Sequence, residues 1–124
     1  MGSLLLVGIG GFAGAVVRYV VDGRISAATG GAFPWGTLAI NVSGSFAIGL
    51  AFALITDRAA LPAVWRVPLM IGFTGSYTTF STLALESWRM IEDGAWLAAS
   101  GNLIGSVTLG MVAVIGGLVL GRVI

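Results

Sequence analysis

Four apolar segments, each about as long as a membrane-spanning helix, fill almost the whole chain. They cover residues 4–22, 35–56, 67–91 and 95–121, and the connectors between them are too short to form a soluble domain. A helix needs roughly 20 apolar residues to cross the hydrocarbon core of a bilayer. Only 9% of the 124 residues are charged, against about 25% in soluble domains. We therefore expect an all-α membrane protein, one domain of residues 1–124 with four transmembrane helices and the lipid bilayer as its solvent.

The residue types that are missing exclude several classes of function. The chain has no cysteine, so disulfides and thiolate metal sites cannot form. It has no histidine, which removes the commonest metal ligand and general base. A net charge of +1 gives no basis for binding nucleic acid. We expect a membrane protein that is not an enzyme and has no nucleic-acid partner.

The arginines divide evenly between the two membrane faces that four spans define. One face carries Arg58, Arg66 and Arg122, and the other carries Arg18, Arg24 and Arg89. An excess of basic residues normally marks the cytoplasmic face, so the even division leaves two outcomes. The chain could insert in one orientation set by weak cues, or it could insert in both. Insertion in both would permit an antiparallel homodimer with its two-fold axis in the membrane plane.

Three pairs of glycines spaced four residues apart predict close helix packing. They are Gly10 and Gly14, Gly101 and Gly105, and Gly117 and Gly121. Small residues at this spacing let two helix backbones approach and gain dispersion energy in lipid. Glycine is common in membrane helices, so each pair alone is a weak signal. Together they predict a compact bundle or a dimer.

A polar stretch, residues 72–86, interrupts the third apolar segment. Gly75 and Ser76 loosen the helix, and four hydroxyls follow, on Thr78, Thr79, Ser81 and Thr82. Lipid cannot satisfy freed backbone groups, so a helix breaks at membrane depth only where protein or a water-lined path takes them up. A broken helix would direct carbonyls at a hard cation such as Na⁺, and hydroxyls at a small anion. The alternative is a kinked helix whose hydroxyls bond to carbonyls one turn earlier.

Three further polar side chains lie at or near membrane depth, and the sequence leaves their roles open. Arg18, with Asp22 one turn later, is either a snorkelling arginine paired with that acid or a cation facing an anion vestibule. Asn41 either makes an interhelical hydrogen bond or lines a pore. Glu86 lies three residues before Arg89, so the two could neutralise each other near the interface.

Three stretches of the chain carry a resemblance to a known family: residues 10–19, residues 34–46 and residues 72–86. The chain resembles the bacterial fluoride channels, the Fluc or CrcB-like family, over nearly its whole length. The resemblance implies a passive channel in the bacterial cytoplasmic (inner) membrane that exports fluoride and relieves its toxicity. It also implies a dual-topology antiparallel homodimer with two pores, a third helix broken at its centre, and a structural Na⁺ ion at the dimer centre.

The same resemblance assigns roles to individual positions of this chain. The carbonyls of Gly75 and Thr78 would hold the Na⁺ ion. Phe80 would be the first of two pore phenylalanines, whose electropositive ring edges face fluoride. The other positions of the anion path would be the pore amide Asn41, the polar-track residues Ser81 and Thr82, the vestibule residue Arg18 and the last-helix residue Ser106. Glu86 would be the acid at the end of the motif.

Two positions depart from the family pattern. Leu83 stands where the family has its second pore phenylalanine, and Asn102 stands where it often has a tyrosine. The chain could therefore be one subunit of a heterodimeric channel with a divergent paralogue, or a homodimer whose pore accepts an aliphatic wall. A further alternative is a small multidrug exporter that exchanges protons for drugs. Such an exporter needs a carboxylate within a span, and Glu86 lies towards the end of the third.

Overall fold

The computed structural model describes all residues, 1–124, and consists of helices joined by short connectors. The α-helices are α1 (Gly2–Thr29), α2 (Trp35–Phe52), α3 (Gly75–Tyr77), α4 (Phe80–Glu92) and α5 (Trp96–Val123). Two π-helical segments adjoin them, Ala53–Asp57 after α2 and Arg66–Thr74 before α3, and one 3₁₀ turn covers Ala63–Trp65. The chain forms no strand, so the all-α fold expected from the sequence is confirmed.

Three continuous helical stretches are long and apolar enough to cross a membrane: Gly2–Thr29, Trp35–Asp57 and Trp96–Val123. They correspond to the first, second and fourth apolar segments of the sequence. The third segment is also helical, but it divides into residues 66–77 and the helix α4. The chain is therefore a multi-pass membrane protein by length and composition of its helices.

Helix α1 extends beyond the apolar segment from which it was predicted. It has 28 residues and is about 42 Å long, whereas the hydrocarbon core is about 30 Å thick. We expected it to end at residue 22, but it continues to Thr29, because residues 23–29 contain no proline. It ends at Gly30, whose left-handed backbone (φ 78°) lets its N–H donate to the Ser26 carbonyl. Helix α1 is therefore longer than the hydrocarbon core is thick, and its last turns carry the polar residues of the connector, among them Arg24.

Glycines hold α1 against the π-helical segment Arg66–Thr74. A Cβ atom on Gly10 would overlap the carbonyl oxygen of Pro68, and one on Gly14 would overlap the carbonyl oxygen of Phe73. The two backbones are therefore in direct contact, with Cα–H groups facing carbonyls. This contact confirms that the first glycine pair mediates close packing.

The second extensive contact joins α2 and α5. A Cβ atom on Gly117 would overlap the carbonyl oxygen of Phe46, and Gly121 is similarly close to α2. In contrast, a Cβ on Gly101 or Gly105 would meet no atom within 4 Å. The third glycine pair therefore packs within the subunit, whereas the pair at Gly101 and Gly105 makes no helix contact inside the chain.

Charged side chains fasten the end of α5 to the π-helical segment after α2. The Arg122 guanidinium contacts the Asp57 carboxylate, with Nε 2.7 Å from Oδ2. Arg58 donates from Nη1 to the Gly121 carbonyl at 3.4 Å, which satisfies one of the carbonyls left free at the end of a helix. These contacts lie at the same end of the subunit as the connector between the second and third segments.

The glycine contact of α1 predicts a large effect of one added methyl group. Gly14→Ala should lower the free energy of unfolding by about 1–3 kcal/mol, because the new Cβ meets a backbone carbonyl that cannot move away alone. Denaturant unfolding of the purified protein in micelles would measure the change. Gly23→Ala is the matched control, because its Cβ would meet no atom within 4 Å. Equal stability of the two variants would contradict the packing described here.

Candidate functional site

The helical course of the third segment is interrupted at Thr78 and Thr79. Both residues have extended backbone, with φ and ψ of −80° and 157° at Thr78 and −150° and 118° at Thr79. α3 ends before them at Tyr77, and α4 begins after them at Phe80. Gly75, which we expected to loosen the helix, is itself helical. The interruption therefore lies at the two threonines, three residues later.

The amide of Asn41 binds the main chain at this interruption. Its Oδ1 atom accepts a hydrogen bond from the Thr79 N–H at 2.7 Å, and its Nδ2 atom donates to the Thr79 carbonyl at 3.0 Å. One side chain on α2 thus satisfies both polar groups of an interrupted residue, as a buried backbone requires. Of the two roles left open for Asn41, the interhelical hydrogen bond is present. Its role as a pore amide stays a prediction.

The interruption also leaves carbonyl groups without their helical partners. In a continuous α-helix the Gly75 carbonyl would accept from the Thr79 N–H, but that N–H donates to Asn41. The Thr78 carbonyl accepts no backbone hydrogen bond. Both residues line a hollow of about 180 Å³, together with Asn41 and small or polar residues of α2. Carbonyl oxygens are suitable ligands for a hard monovalent cation.

The four hydroxyls near the interruption have different partners. Thr78 donates to the Thr74 carbonyl one turn earlier at 2.9 Å, as a kinked helix would predict. Thr79 is the N-cap of α4 and accepts from the Thr82 N–H at 3.3 Å. The Thr79 hydroxyl also donates to the Thr82 hydroxyl at 3.0 Å. Ser81 is exposed and makes no hydrogen bond in the chain. Bonding to the preceding turn therefore accounts for only one of the four.

Helix α4 presents its first residues to two different surroundings. Phe80 is 79% exposed at the surface of the single chain, next to the interruption. Leu83 is only 5% exposed and lies in the interior of the subunit. The two positions expected to carry pore phenylalanines lie one turn apart on the same face of α4, but only the first is exposed and the second is covered by the rest of the subunit. Whether either lines a pore stays a prediction.

Arg18 lines a polar hollow that reaches the interruption. The hollow has a volume of about 210 Å³, and its other polar walls come from Asp22, Thr37, Thr79 and Thr82. Arg18 forms no ion pair with Asp22, although the two are one turn apart. The interfacial ion pair considered for Arg18 is therefore absent, and its vestibule role stays a prediction.

Glu86 does not bind Arg89, so the neutral pair considered from their spacing does not form. Instead, the Glu86 Oε1 atom accepts a hydrogen bond from the hydroxyl of Thr37 on α2, at 2.9 Å. Arg89 and Glu86 both line a second hollow, of about 250 Å³, together with Asp22 and Asp93. The end of α4 therefore presents charges of both signs to this hollow.

Asn102 and Ser106 are buried on α5, one helical turn apart. Asn102 is 0% exposed and donates from Nδ2 to the hydroxyl of Ser87 on α4 at 3.0 Å. Ser106 is 6% exposed, and its hydroxyl has no partner in the chain. Sequence reasoning missed both Ser87 and Thr37. The sequence pointed to them only by spacing: Ser87 lies one helical turn after Leu83, and Thr37 lies one turn before Asn41.

Almost the whole chain matches a known protein family. Residues 5–118 match the family model described as CrcB-like protein, Camphor Resistance (CrcB). A protein of Solibacter usitatus named "Fluoride-specific ion channel FluC" is 43% identical over 118 residues, which is 95% of this chain and 97% of that protein. Proteins of the same name from Magnetococcus marinus and Geobacter sulfurreducens are 44% and 40% identical, over 95% and 98% of this chain and 96% and 98% of their own lengths.

The contact between Asn41 and Thr79 predicts that the asparagine amide stabilises the fold. Asn41→Ala should cost about 1–3 kcal/mol for each backbone group left without a partner. Asn41→Asp should also destabilise, because a carboxylate accepts from the Thr79 N–H but repels the Thr79 carbonyl. The measurement is denaturant unfolding in micelles. Ser45→Ala is the control, since it removes only a bond from a hydroxyl to the preceding turn. If both Asn41 variants matched the control, the amide would not hold the interruption.

Proposed function

The chain belongs to the CrcB-like protein family and is a fluoride ion channel, not an enzyme, and we propose that it exports cytoplasmic fluoride passively across the bacterial inner membrane. The observation that carries the proposal is the interrupted third segment. There, hydroxyl and amide groups gather in a chain whose long helices expose mostly apolar side chains. Family membership removes the reason for considering a proton-coupled multidrug exporter.

A passive pore is sufficient to remove fluoride from a cell. In acidic surroundings fluoride enters cells as the neutral acid HF, and it is trapped as the anion in the less acidic cytoplasm. The inside-negative membrane potential then drives the anion out, with about 2.3 kcal/mol per charge for each 100 mV. No proton carrier, nucleotide site or general base is required. A pore only has to replace the water shell of a small anion with donors, while binding it weakly enough for exit.

The exposed residues near the interruption support a pathway at a subunit surface. Phe80 is a large aromatic residue left 79% exposed beside polar groups, where its ring edge could contact an anion. Ser81 is exposed next to it, and Thr82 lines the hollow that contains Arg18. We assign the anion path to Phe80, Ser81 and Thr82, with Arg18 at its entrance.

A second, antiparallel copy of the chain would complete this pathway. One end of the subunit carries three arginines against one acid, Arg58, Arg66, Arg122 and Asp57. The opposite end carries three arginines against four acids, Arg18, Arg24, Arg89, Asp22, Glu86, Glu92 and Asp93. An antiparallel dimer places a positive end beside a negative end on each membrane face. A parallel dimer would place two positive ends on one face and two negative ends on the other. The open glycine pair at Gly101 and Gly105 also leaves room for close approach of another helix.

The residues at the interruption fit a structural Na⁺ ion. Its ligands in each subunit would be the carbonyls of Gly75 and Thr78, which the interruption separates from their helical partners. When bound between two such segments, the ion would supply positive charge that offsets the facing carbonyl dipoles. The chain's own contribution is to hold those carbonyls apart from any competing N–H group.

The position of Leu83 bears on the number of working pores. Leu83 is aliphatic and lacks the positive ring edge that a phenylalanine would offer, and it is buried inside its own subunit. A heterodimer with a divergent paralogue remains the alternative to a homodimer with two equal pores. Both arrangements are fluoride channels.

Release of ions from liposomes tests the function directly. The purified chain, reconstituted alone, should release fluoride and retain chloride, measured with ion-selective electrodes. Phe80→Ile should abolish or sharply reduce fluoride release while leaving assembly intact, because it removes the ring edge. Phe12→Ile is the matched control, since Phe12 is also exposed (74%) but lies on α1.

The results of this experiment distinguish a homodimer from a heterodimer and test the role of Phe80. No fluoride release by the chain alone would rule out the homodimer, and recovery on adding a second, related subunit would establish the heterodimer. Unchanged release by Phe80→Ile would remove Phe80 from the anion path.

The proposed Na⁺ ion predicts that assembly depends on sodium. The dimer fraction, measured by sedimentation in micelles, should fall when Na⁺ is replaced by N-methylglucamine. Thr78→Val should keep this dependence, because it removes the hydroxyl and retains the carbonyl that would bind the ion. An equal dimer fraction with and without Na⁺ would exclude the site. Loss of the sodium dependence in Thr78→Val would show that the Thr78 hydroxyl, and not its carbonyl, binds the ion.

A further inference from the structure

Helix α4 carries the residues of the anion path, and polar side chains fix it to its two neighbours. Glu86 accepts a hydrogen bond from Thr37 on α2, and the next residue, Ser87, accepts one from Asn102 on α5. Successive residues of a helix point about 100° apart. The two bonds therefore hold α4 from different sides, and a rotation of α4 about its axis would break both.

The bond between Ser87 and Asn102 is the more deeply buried of the two. Ser87 is 2% exposed and Asn102 is 0% exposed, and their atoms are 3.0 Å apart. It is the only hydrogen bond that the Asn102 amide makes within the chain, because its Oδ1 atom has no partner there. Loss of the Ser87 hydroxyl would therefore leave the whole amide unpaired at the contact of α4 with α5.

Ser87 lies on the same face of α4 as the pore position. Phe80 precedes it by seven residues, which is almost two full turns, so the two side chains are separated mainly by about 10 Å along the helix axis. Leu83 lies between them on this face and is buried. The hydrogen bond at Ser87 thus determines which way the face with Phe80 is turned.

We propose that Ser87 and Asn102 are positioning residues of the channel, whose hydrogen bond sets the rotation of α4 on α5 and thereby the placement of Phe80. They act through α4 and do not contact the ion. The proposal deepens the proposed function and rests on it where flux is the readout. The competing role for Asn102 is direct contact of its amide with the anion, and the two roles predict different results for one exchange of residues.

The test measures fluoride flux per folded dimer in liposomes. Ser87→Ala should lower this flux about tenfold, because small misplacements of an aligned group have effects of that order or larger. The exchanged pair, Ser87→Asn with Asn102→Ser, should restore most of the loss, because the same two groups can bond in reverse. Ser100→Ala is the matched control, since it makes the same change on the exposed face of α5. Unchanged flux in Ser87→Ala, or no recovery in the exchanged pair, would overturn the proposal.

A second measurement is independent of conduction. The chain has no cysteine, so a nitroxide label attached through Leu85→Cys, at an exposed position of α4, would report on this helix alone. The label should become more mobile in Ser87→Ala and regain the original spectrum in the exchanged pair. An unchanged spectrum in Ser87→Ala would contradict the positioning role even if the channel conducts. A wild-type chain that releases no fluoride, with the mobility change present, would contradict only the proposed function. If Ser87→Ala does not fold, Ser87→Cys provides a near-isosteric variant with a weaker hydrogen bond for the flux measurement, and Ser87→Gly replaces Ser87→Ala in the labelled chain.

Discussion

A main-chain amide inside a bilayer has no water to bind, and the polar geometry of this chain follows from that constraint. The third segment departs from helical geometry at Thr78 and Thr79, which frees N–H and C=O groups at membrane depth. Asn41 takes up both groups of Thr79, and the Thr79 hydroxyl caps the helix that follows. The carbonyls of Gly75 and Thr78 keep no helical partner in the subunit, and we propose that they bind the ion.

The subunit uses two kinds of contact for two purposes. Helices α1, α2 and α5 are held by backbone contact at glycines, where dispersion acts over many atoms and no polar group is needed. Helix α4 is held by side-chain hydrogen bonds to α2 and α5. Such bonds are directional, so they fix orientation in a way that glycine packing does not. The helix to which we assign the anion path is also the helix that is fixed by directional bonds.

Sequence reasoning predicted the features that follow from composition and failed at those that depend on partners. The apolar segments predicted the all-α fold, and the polar stretch at residues 72–86 directed attention to the interruption. The predicted end of α1 was wrong because hydropathy marks where the apolar residues end, and the helix continues through the less apolar residues 23–29. The partners of Asn41 and Asn102 could not be predicted, because each lies on another helix far away in the sequence.

The pairing of α2 with α5 has a consequence for how the protein is made. The two helices are the second and the last to be synthesised, yet they form one of the most extensive contacts of the subunit. Until α5 leaves the ribosome and enters the membrane, the glycine face of α2 has no partner, and long-range pairing of this kind is slow to form. Insertion and folding are therefore separate events for this chain, and quality control in the membrane would meet a nascent subunit that is inserted but not yet assembled.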